Sequence, residues 1–373
     1  MWRVLALNTN KLKARYVPAL LVILTVAAII FVIQSFRIPE GNQNVTVGVV
    51  LIGSWADKGW NESHYEGLKK ACDAYNCKLL GREYIADSGD AGTFYDAVDG
   101  LIKDGANVIF LTSFGYGSYL DKIAAQYPDV AFFTISGRGK AKNCTSYFTR
   151  LYQVRYLAGL VAGAATKSGV LGYVTAMPNS QTNRGINAYA LGMRRANPQA
   201  KLLVHFTGSW DNQNAEMDSV VKLAAAGADV ITYHEDKPHA IEKAEKMGLY
   251  TIGYGSTQAN YSQRYLTAAL YDWDAVYQKV LSDYISGRVT STKDYWLDLS
   301  EGGVKLDKLS PLVEPATAEL VELELQRIKK GDVFSGVIYD NKGQLRCDEG
   351  EQISDHELFY GMDWFVEGVE IDE

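Results

Sequence analysis

The sequence predicts an α/β protein of two similar, doubly wound lobes with a cleft between them. Three observations predict it. After residue 44, apolar β-branched runs alternate with helix-period segments, the pattern of parallel sheets covered by helices. The segments also repeat at an offset of roughly 120 residues, too long a period for a solenoid. Gly105-Ala-Asn-Val-Ile-Phe110 returns as Gly227-Ala-Asp-Val-Ile-Thr232, Tyr65-Glu-Gly-Leu-Lys-Lys-Ala71 as Ala190-Leu-Gly-Met-Arg-Arg-Ala196, and Lys78-Leu-Leu80 as Lys201-Leu-Leu203. Finally, 373 residues of ordinary globular composition, 47% hydrophobic and 22% charged, suffice for two such lobes.

Taken in order, Val45-Thr-Val-Gly-Val-Val-Leu-Ile52 reads as a first strand, the backbone turns at Gly59, and a helix follows over 61–75 through Leu68 and Ala71. Further strands are expected at 78–85, 107–112, 130–135, 170–175, 201–206, 229–233 and 250–254. Helical patterns fill 92–104, 118–126, 151–167, 183–196, 213–226 and 237–247. From residue 290 the rhythm breaks. That part holds Tyr295-Trp-Leu-Asp-Leu299, a charged helix over 313–329, and strand-like runs at Phe334–Ile338 and Leu358–Val369. The expected division is a bilobal domain over 44–373. Its first lobe takes about 44–150 and 255–290, its second about 151–254 and 291–373.

The first 40 residues stand apart. Arg3, Lys11, Lys13 and Arg15 precede the uncharged run Val17–Ile33, roughly 17 residues and at the short end for a membrane span. Basic residues before the run and few after it predict an N-in, C-out orientation. No small-x-small cleavage site and no cysteine follow, so an uncleaved membrane anchor is expected in preference to a signal peptide. The chain beyond residue 40 is then extracytoplasmic. In that oxidising setting Cys72 and Cys77 suit a local disulfide, leaving Cys144 and Cys347 as the other pair. Zinc is the weaker reading, since the C-x4-C spacing lacks a matching second half.

Duplicated lobes place the loops after equivalent strands on facing lips of the cleft, where open α/β sheets bind ligands. In the first lobe these are Ser54–Asn61, Thr112–Tyr116 and Ser136–Arg138. In the second they are Met177–Arg184, Gly208–Asp211, His234–Asp236 and Gly253–Ser256. Trp60, Phe114 or Tyr116, and Trp210 would hold a planar ligand between aromatic faces, against the alternative that each packs its own loop. Glu235 and Asp236 would accept hydrogen bonds from ligand N–H groups. The five histidines offer no i, i+4 metal pair, and the chain has neither a G-x-S-x-G elbow nor a P-loop. No cofactor, metal or catalysis is expected. A net charge of −7 without basic clusters argues against nucleic acid as a partner.

Several segments carry a resemblance. Asp57-Lys-Gly-Trp-Asn61, Tyr65-Glu-Gly67, Thr112-Ser-Phe-Gly-Tyr116, Tyr127-Pro-Asp-Val130, Arg155-Tyr-Leu-Ala-Gly159, Gly169-Val-Leu-Gly-Tyr173 and Gly208-Ser-Trp-Asp211 resemble, in order, the basic membrane protein family of ABC-transporter substrate-binding proteins. The similarity runs from about residue 45 to the C-terminus. It implies a type I periplasmic-binding-protein fold that closes on its ligand without catalysis, and partnership with ABC permease subunits. The family's characterised members bind purine nucleosides or bases.

The departures point further. Nucleoside binders of the family carry Phe where this chain has Trp60, an Asp acting on the ribose where it has Gly255, and a Lys where it has Tyr271. Losing both polar partners weakens recognition of ribose. The resemblance therefore implies a free purine base such as adenine, with a nucleoside as the other ligand it allows. Trp60, Asn61, Ser113, Phe114, Tyr116, Trp210, Asp211, His234, Glu235, Asp236, Gly255 and Ser256 are the expected ligand-binding residues. A membrane-anchored sensory receptor domain and a purine-processing enzyme are the alternatives.

Overall fold

The computed structural model describes residues 45–57, 59–136, 139–255, 263–289 and 294–372. The expected anchor and Ser256 lie outside the described residues. Five strands open the chain: β1 (Thr46–Val50), β2 (Lys78–Arg82), β3 (Val108–Leu111), β4 (Ala131–Ile135) and β5 (Cys144–Thr149). They are interleaved with α1 (Trp60–Tyr75), α2 (Gly92–Lys103) and α3 (Gly117–Gln126). Then come α4 (Tyr152–Ala165), β6 (Val170–Thr175), α5 (Ser180–Ala196), β7 (Lys201–Phe206), α6 (Gln213–Ala225), β8 (Val230–His234), α7 (His239–Lys246), β9 (Tyr250–Gly255) and β10 (Tyr265–Tyr271). The remainder is α8 (Trp273–Ile285), β11 (Tyr295–Leu297), β12 (Val304–Leu306), α9 (Pro315–Ile328), β13 (Ile338–Tyr339), β14 (Leu345–Cys347) and β15 (Val369–Asp372).

The two sheets repeat one topology. The first runs β11-β5-β4-β3-β1-β2 and the second β12-β10-β9-β8-β6-β7-β15, so the first five strands of each half take equivalent places. All pairs in them are parallel except β10 with β12. Strands such as β3 and β8 are buried at every residue, as a sheet covered on both faces requires. The repeat extends to backbone geometry. Gly105 and Gly227 both adopt φ of 101°, a conformation that favours glycine. Each ends its helix in the same way, with Ala106 N–H donating to Leu101 O and Ala228 N–H to Leu223 O, both at 3.0 Å.

The chain passes between the sheets three times among the described residues: from β5 to α4, from β10 to α8, and from β11 to β12. This corrects the expected lobe boundaries. β10 pairs with β9 in the second sheet, whereas β11 pairs with β5 in the first. The stretch 255–290 is thus split, with α8 alone returning to pack on α1, where Trp273 lies against Gly67. The expectations also missed β5, β10 and α8. Their polar or alanine-rich letters hide the burial: Cys144-Thr-Ser-Tyr-Phe-Thr149 is buried throughout.

Helices α4 and α5 pack on each other in the second lobe by near contact of their backbones. A Cβ at Gly159 would lie 2.0 Å from Tyr189 O, and one at Gly192 1.8 Å from Tyr156 O. The C-terminal segment is fastened to α5 by buried amides. Asn187 donates from Nδ2 to Trp364 O at 2.9 Å and accepts from Val366 N–H at 3.0 Å, while Asn183 donates to Met362 O. That fastening explains why the expected strands at Phe334–Ile338 and Leu358–Val369 shrink. They become β13, a π-helical turn at Glu357–Gly361, and β15 alongside β7. The two expected disulfides are also corrected. Cys72, Cys77, Cys144 and Cys347 are free thiols, all but Cys77 buried.

Candidate functional site

The loop after β1 is built around Asp57. Its carboxylate accepts backbone N–H donors from Gly59 at 2.8 Å, Glu62 at 3.1 Å and Asn61 at 3.2 Å. An anion at the start of α1 suits the helix dipole. Asn61 completes the loop through both ends of its amide. Its Nδ2 donates to Asp57 Oδ2 at 2.7 Å and its Oδ1 accepts from Gly53 N–H at 3.2 Å. Trp60 is fixed by a 2.8 Å bond from its Nε1 to Thr112 O. Its ring stands edge-on to Tyr271 and Trp273, with centroids 5.7 and 5.6 Å away.

The loop after β3 is committed inward as well. Ser113 Oγ donates to Asp87 Oδ2 and Tyr116 OH to Ile85 O, both at 2.5 Å. Tyr116 is fully buried and stacks on Phe94, so the aromatic expected on the lip belongs to the core under the first sheet. Phe114 is 69% exposed and borders a separate depression beside Asp87 and Ser88.

The second lobe offers uncommitted groups. Glu235, just past β8, is 2% exposed; its Oε1 accepts from Thr207 Oγ at 2.8 Å, and its Oε2 has no hydrogen-bond partner. Burial, reinforced by Glu216, Asp236 and Asp211, pushes its carboxyl up to about 9. Asp236 N–H donates to Trp210 O at 2.9 Å. Solvent reaches the Asp236 side chain, but protein crowds it on most sides. That desolvation, with the carboxylates of Asp211 and Asp57, raises it to about 7. Asp211 is exposed and pairs with Lys237 at 2.8 Å. His234 is buried with its ring 4.3 Å from Tyr254, and burial first, then Arg155 and Arg184, holds it neutral. It faces a deeper cavity with those two arginines.

A slot between the lobes brings part of the expected set together. Gly59, Trp60 and Ser63 line one side; Glu235, Asp236, Pro238 and Gly255 line the other. Tyr233, Tyr254 and Tyr271 complete the walls, with Tyr254 and Tyr271 hydroxyls 3.0 Å apart. Trp60, Glu235, Asp236 and Gly255 therefore meet. Asn61, Ser113, Phe114, Tyr116, Trp210, Asp211 and His234 lie outside this lining. The sequence reading passed over Ser63, Tyr233 and Tyr254. Ser63 stands three residues after Trp60, on the same helix face, and Tyr254 lies within a loop already assigned to the cleft.

No Lys or Arg lines the slot among the described residues. Aromatic walls with carboxyl groups suit a flat, neutral or weakly basic ligand rich in N–H donors, and repel phosphate. A protonated Glu235 adds a donor beside an acceptor, matching the paired ring nitrogen and N–H of a heterocycle edge. One cluster with the chemistry to hold a metal lies apart from the lining, at Asp211, Glu216 and His239.

The family model for ABC transporter substrate-binding proteins of the PnrA-like type, Bmp, matches residues 44–335. A purine-binding protein of Brucella abortus (strain 2308) is 30% identical over 336 residues, covering 89% of this chain and 94% of its own. A putative ABC transporter glucose-binding protein of Haloferax volcanii is also 30% identical, over 338 residues, covering 89% and 82%. Among solved structures, a transcriptional activator of the comK gene from Bacillus halodurans superposes with a TM-score of 0.69 at 23% identity, covering 76% of this chain and 98% of its own. A solute-binding protein of an ABC transporter system from Aeropyrum pernix K1 gives 0.66 at 18% identity, covering 87% and 100%. These superpositions establish a shared fold alone.

Proposed function

This chain belongs to the Bmp family of PnrA-like ABC transporter substrate-binding proteins, and from that premise we propose that it binds a free purine base between Trp60 and the carboxyl groups of Glu235 and Asp236. The class works outside the cytoplasm, takes a small-molecule ligand and serves ABC permease subunits. The observation that carries the purine reading is Glu235 Oε2, a buried oxygen without a partner at the floor of a slot walled by Trp60, Tyr254 and Tyr271. A buried polar atom of this kind costs free energy until a ligand meets it. The Brucella relative's purine binding supports the reading.

Absence of ribose fits the same walls. Gly255 and Tyr271, the positions where the family resemblance expects an Asp and a Lys, both border the slot. Trp60 stacks on one face of the base, and Glu235 pairs with its edge. We read the N-terminal run Val17–Ile33 as the anchor that keeps the protein at the membrane; the described residues contain no helix long and apolar enough to cross one.

The test is a thermal-shift panel of adenine, guanine, hypoxanthine, adenosine and glucose on the full-length chain. A ligand at a hundredfold excess over its Kd stabilises the native state by about 2.7 kcal/mol, a shift of several degrees. Adenine or another free base should give the largest shift, and should be recovered chemically unchanged. A shift with glucose and none with purines would replace this reading by a sugar-binding one, which the Haloferax relative favours. Conversion of the base would make the protein an enzyme.

A further inference from the structure

We propose that Asp211, Glu216 and His239 form a divalent transition-metal site of the zinc type on the rim of the second lobe. One oxygen or nitrogen from each lies within 4.8 Å of the other two. Ligands at about 2.0–2.2 Å around zinc stand roughly 3–4 Å from one another, so small rotations of the exposed Asp211 close the set. The residues come from three places: the loop after β7, the first turn of α6, and the first residue of α7.

Glu216 makes this more than an acidic cluster. It is completely buried, and neither of its carboxylate oxygens has a partner in hydrogen-bond geometry. Burial pushes its carboxyl up to about 8, against the opposing pull of the backbone N–H groups of Ala240 and Asn212, which face it from outside that geometry. A buried carboxylate is retained when it is paired or coordinates a cation. His239 supplies a ring nitrogen. Its Nε2 is 3.8 Å from Asp211 Oδ1, and its Nδ1, 4.0 Å from Glu242 Oε2, has no hydrogen bond. Lys237 holds only the other oxygen of Asp211, Oδ2, at 2.8 Å.

One imidazole with two carboxylates suits zinc, manganese or cobalt better than calcium, which prefers oxygen alone. Three protein ligands leave a position open toward solvent. The site does not share the slot's lining, yet it is tied to it. Trp210, the residue before Asp211, accepts the backbone bond from Asp236, so a metal would stiffen the second lip without touching the purine.

The test is calorimetric titration of the metal-stripped full-length chain with Zn2+, with Mg2+ and Ca2+ run in parallel. One equivalent of Zn2+ should bind in the micromolar range or tighter, and the thermal midpoint should rise. Glu216→Gln and His239→Ala should each weaken Zn2+ binding at least tenfold, while Glu242→Gln leaves it unchanged. Co2+ should give d–d absorption bands in the parent and lose them in His239→Ala. Absence of Zn2+ binding to the parent would overturn the proposal whatever the variants do. So would unchanged binding in folded Glu216→Gln, or Mg2+ or Ca2+ binding in preference to Zn2+. Purine binding is read separately, so either reading can fail alone.

Discussion

The two lips of the cleft descend from equivalent loops but have opposite states of commitment. On the first lip, Asp57, Asn61, Ser113 and Tyr116 are all spent on local hydrogen bonds, and Trp60 is left to the slot with Gly59 and Ser63 beside it. On the second lip, Glu235 keeps a free buried oxygen and Asp236 has its carboxyl crowded by other acids. The first lip is a preformed wall; the second holds the unpaired chemistry. Pre-organising one side lowers the ordering cost of binding, while the unpaired side supplies the groups that discriminate between ligands.

The sharpest way to break this contrast is at Glu235. Replacement by Ala leaves the ligand's N–H edge unmatched, costing about 2–3 kcal/mol and roughly 30–150-fold in Kd. Glu235→Gln keeps one donor and one acceptor, so its Kd for adenine by calorimetry should stay within a few-fold of the parent. Equal, small losses in both variants would mean that the second lip does not discriminate. Next in size is Trp60→Ala. Base–aromatic stacking contributes about 1–3 kcal/mol, so a loss of roughly tenfold is expected. Parental affinity in Trp60→Ala would return the indole to a packing role.

Asn61→Ala should reverse the pattern. It strands Gly53 N–H and releases Asp57, so it should lower stability by about 1–2 kcal/mol in denaturant titration while the Kd moves less than twofold. If affinity falls and stability holds, Asn61 faces the ligand after all.

The second lip also makes a prediction in pH. Glu235 is raised from its ordinary 4.5 to about 9, so between these values the folded chain holds a proton that the unfolded chain has lost. Stability contributed by this group is full below about 4.5 and declines as pH rises toward 9, by at most about 1.4 kcal/mol per unit. Melting curves from pH 5 to 8 should therefore fall by a few degrees more for the parent than for Glu235→Gln. Parallel curves would show that Glu235 ionises normally.

These lips mark how far the sequence could be read. The fold was legible because duplication is periodic: Gly105 and Gly227 announce the same turn, and strand ends name the cleft loops. Commitment was not legible, since an Asn that reads a ligand and one that locks a loop carry the same letter. The bonds of Asn61 within its loop were hidden for that reason, and the burial of Tyr116 because an aromatic beside glycines looks exposed. Tyr233 sits in a buried strand, where sequence suggests only core. Glu216, an acid in the first turn of α6, reads as a solvated helix start, and only three-dimensional packing reveals that it is buried.

Phe114 gives the smallest expected effect and the finest test. It stands 69% exposed beside Asp87 and Ser88, away from the slot, so Phe114→Ala should leave the Kd for adenine unchanged and stability within about 0.5 kcal/mol. Its neighbour Ser113 is already bonded to Asp87, so nothing else on that loop would compensate for a missing ring. A tenfold loss in Phe114→Ala would carry specific information. It would mean that ligand draws the lips together until Phe114 covers the second face of the base, a closure worth roughly 1.4 kcal/mol through that ring alone. The first lip would then be an unfinished wall, completed by the ligand, and the asymmetry between the lips would belong to the open form only.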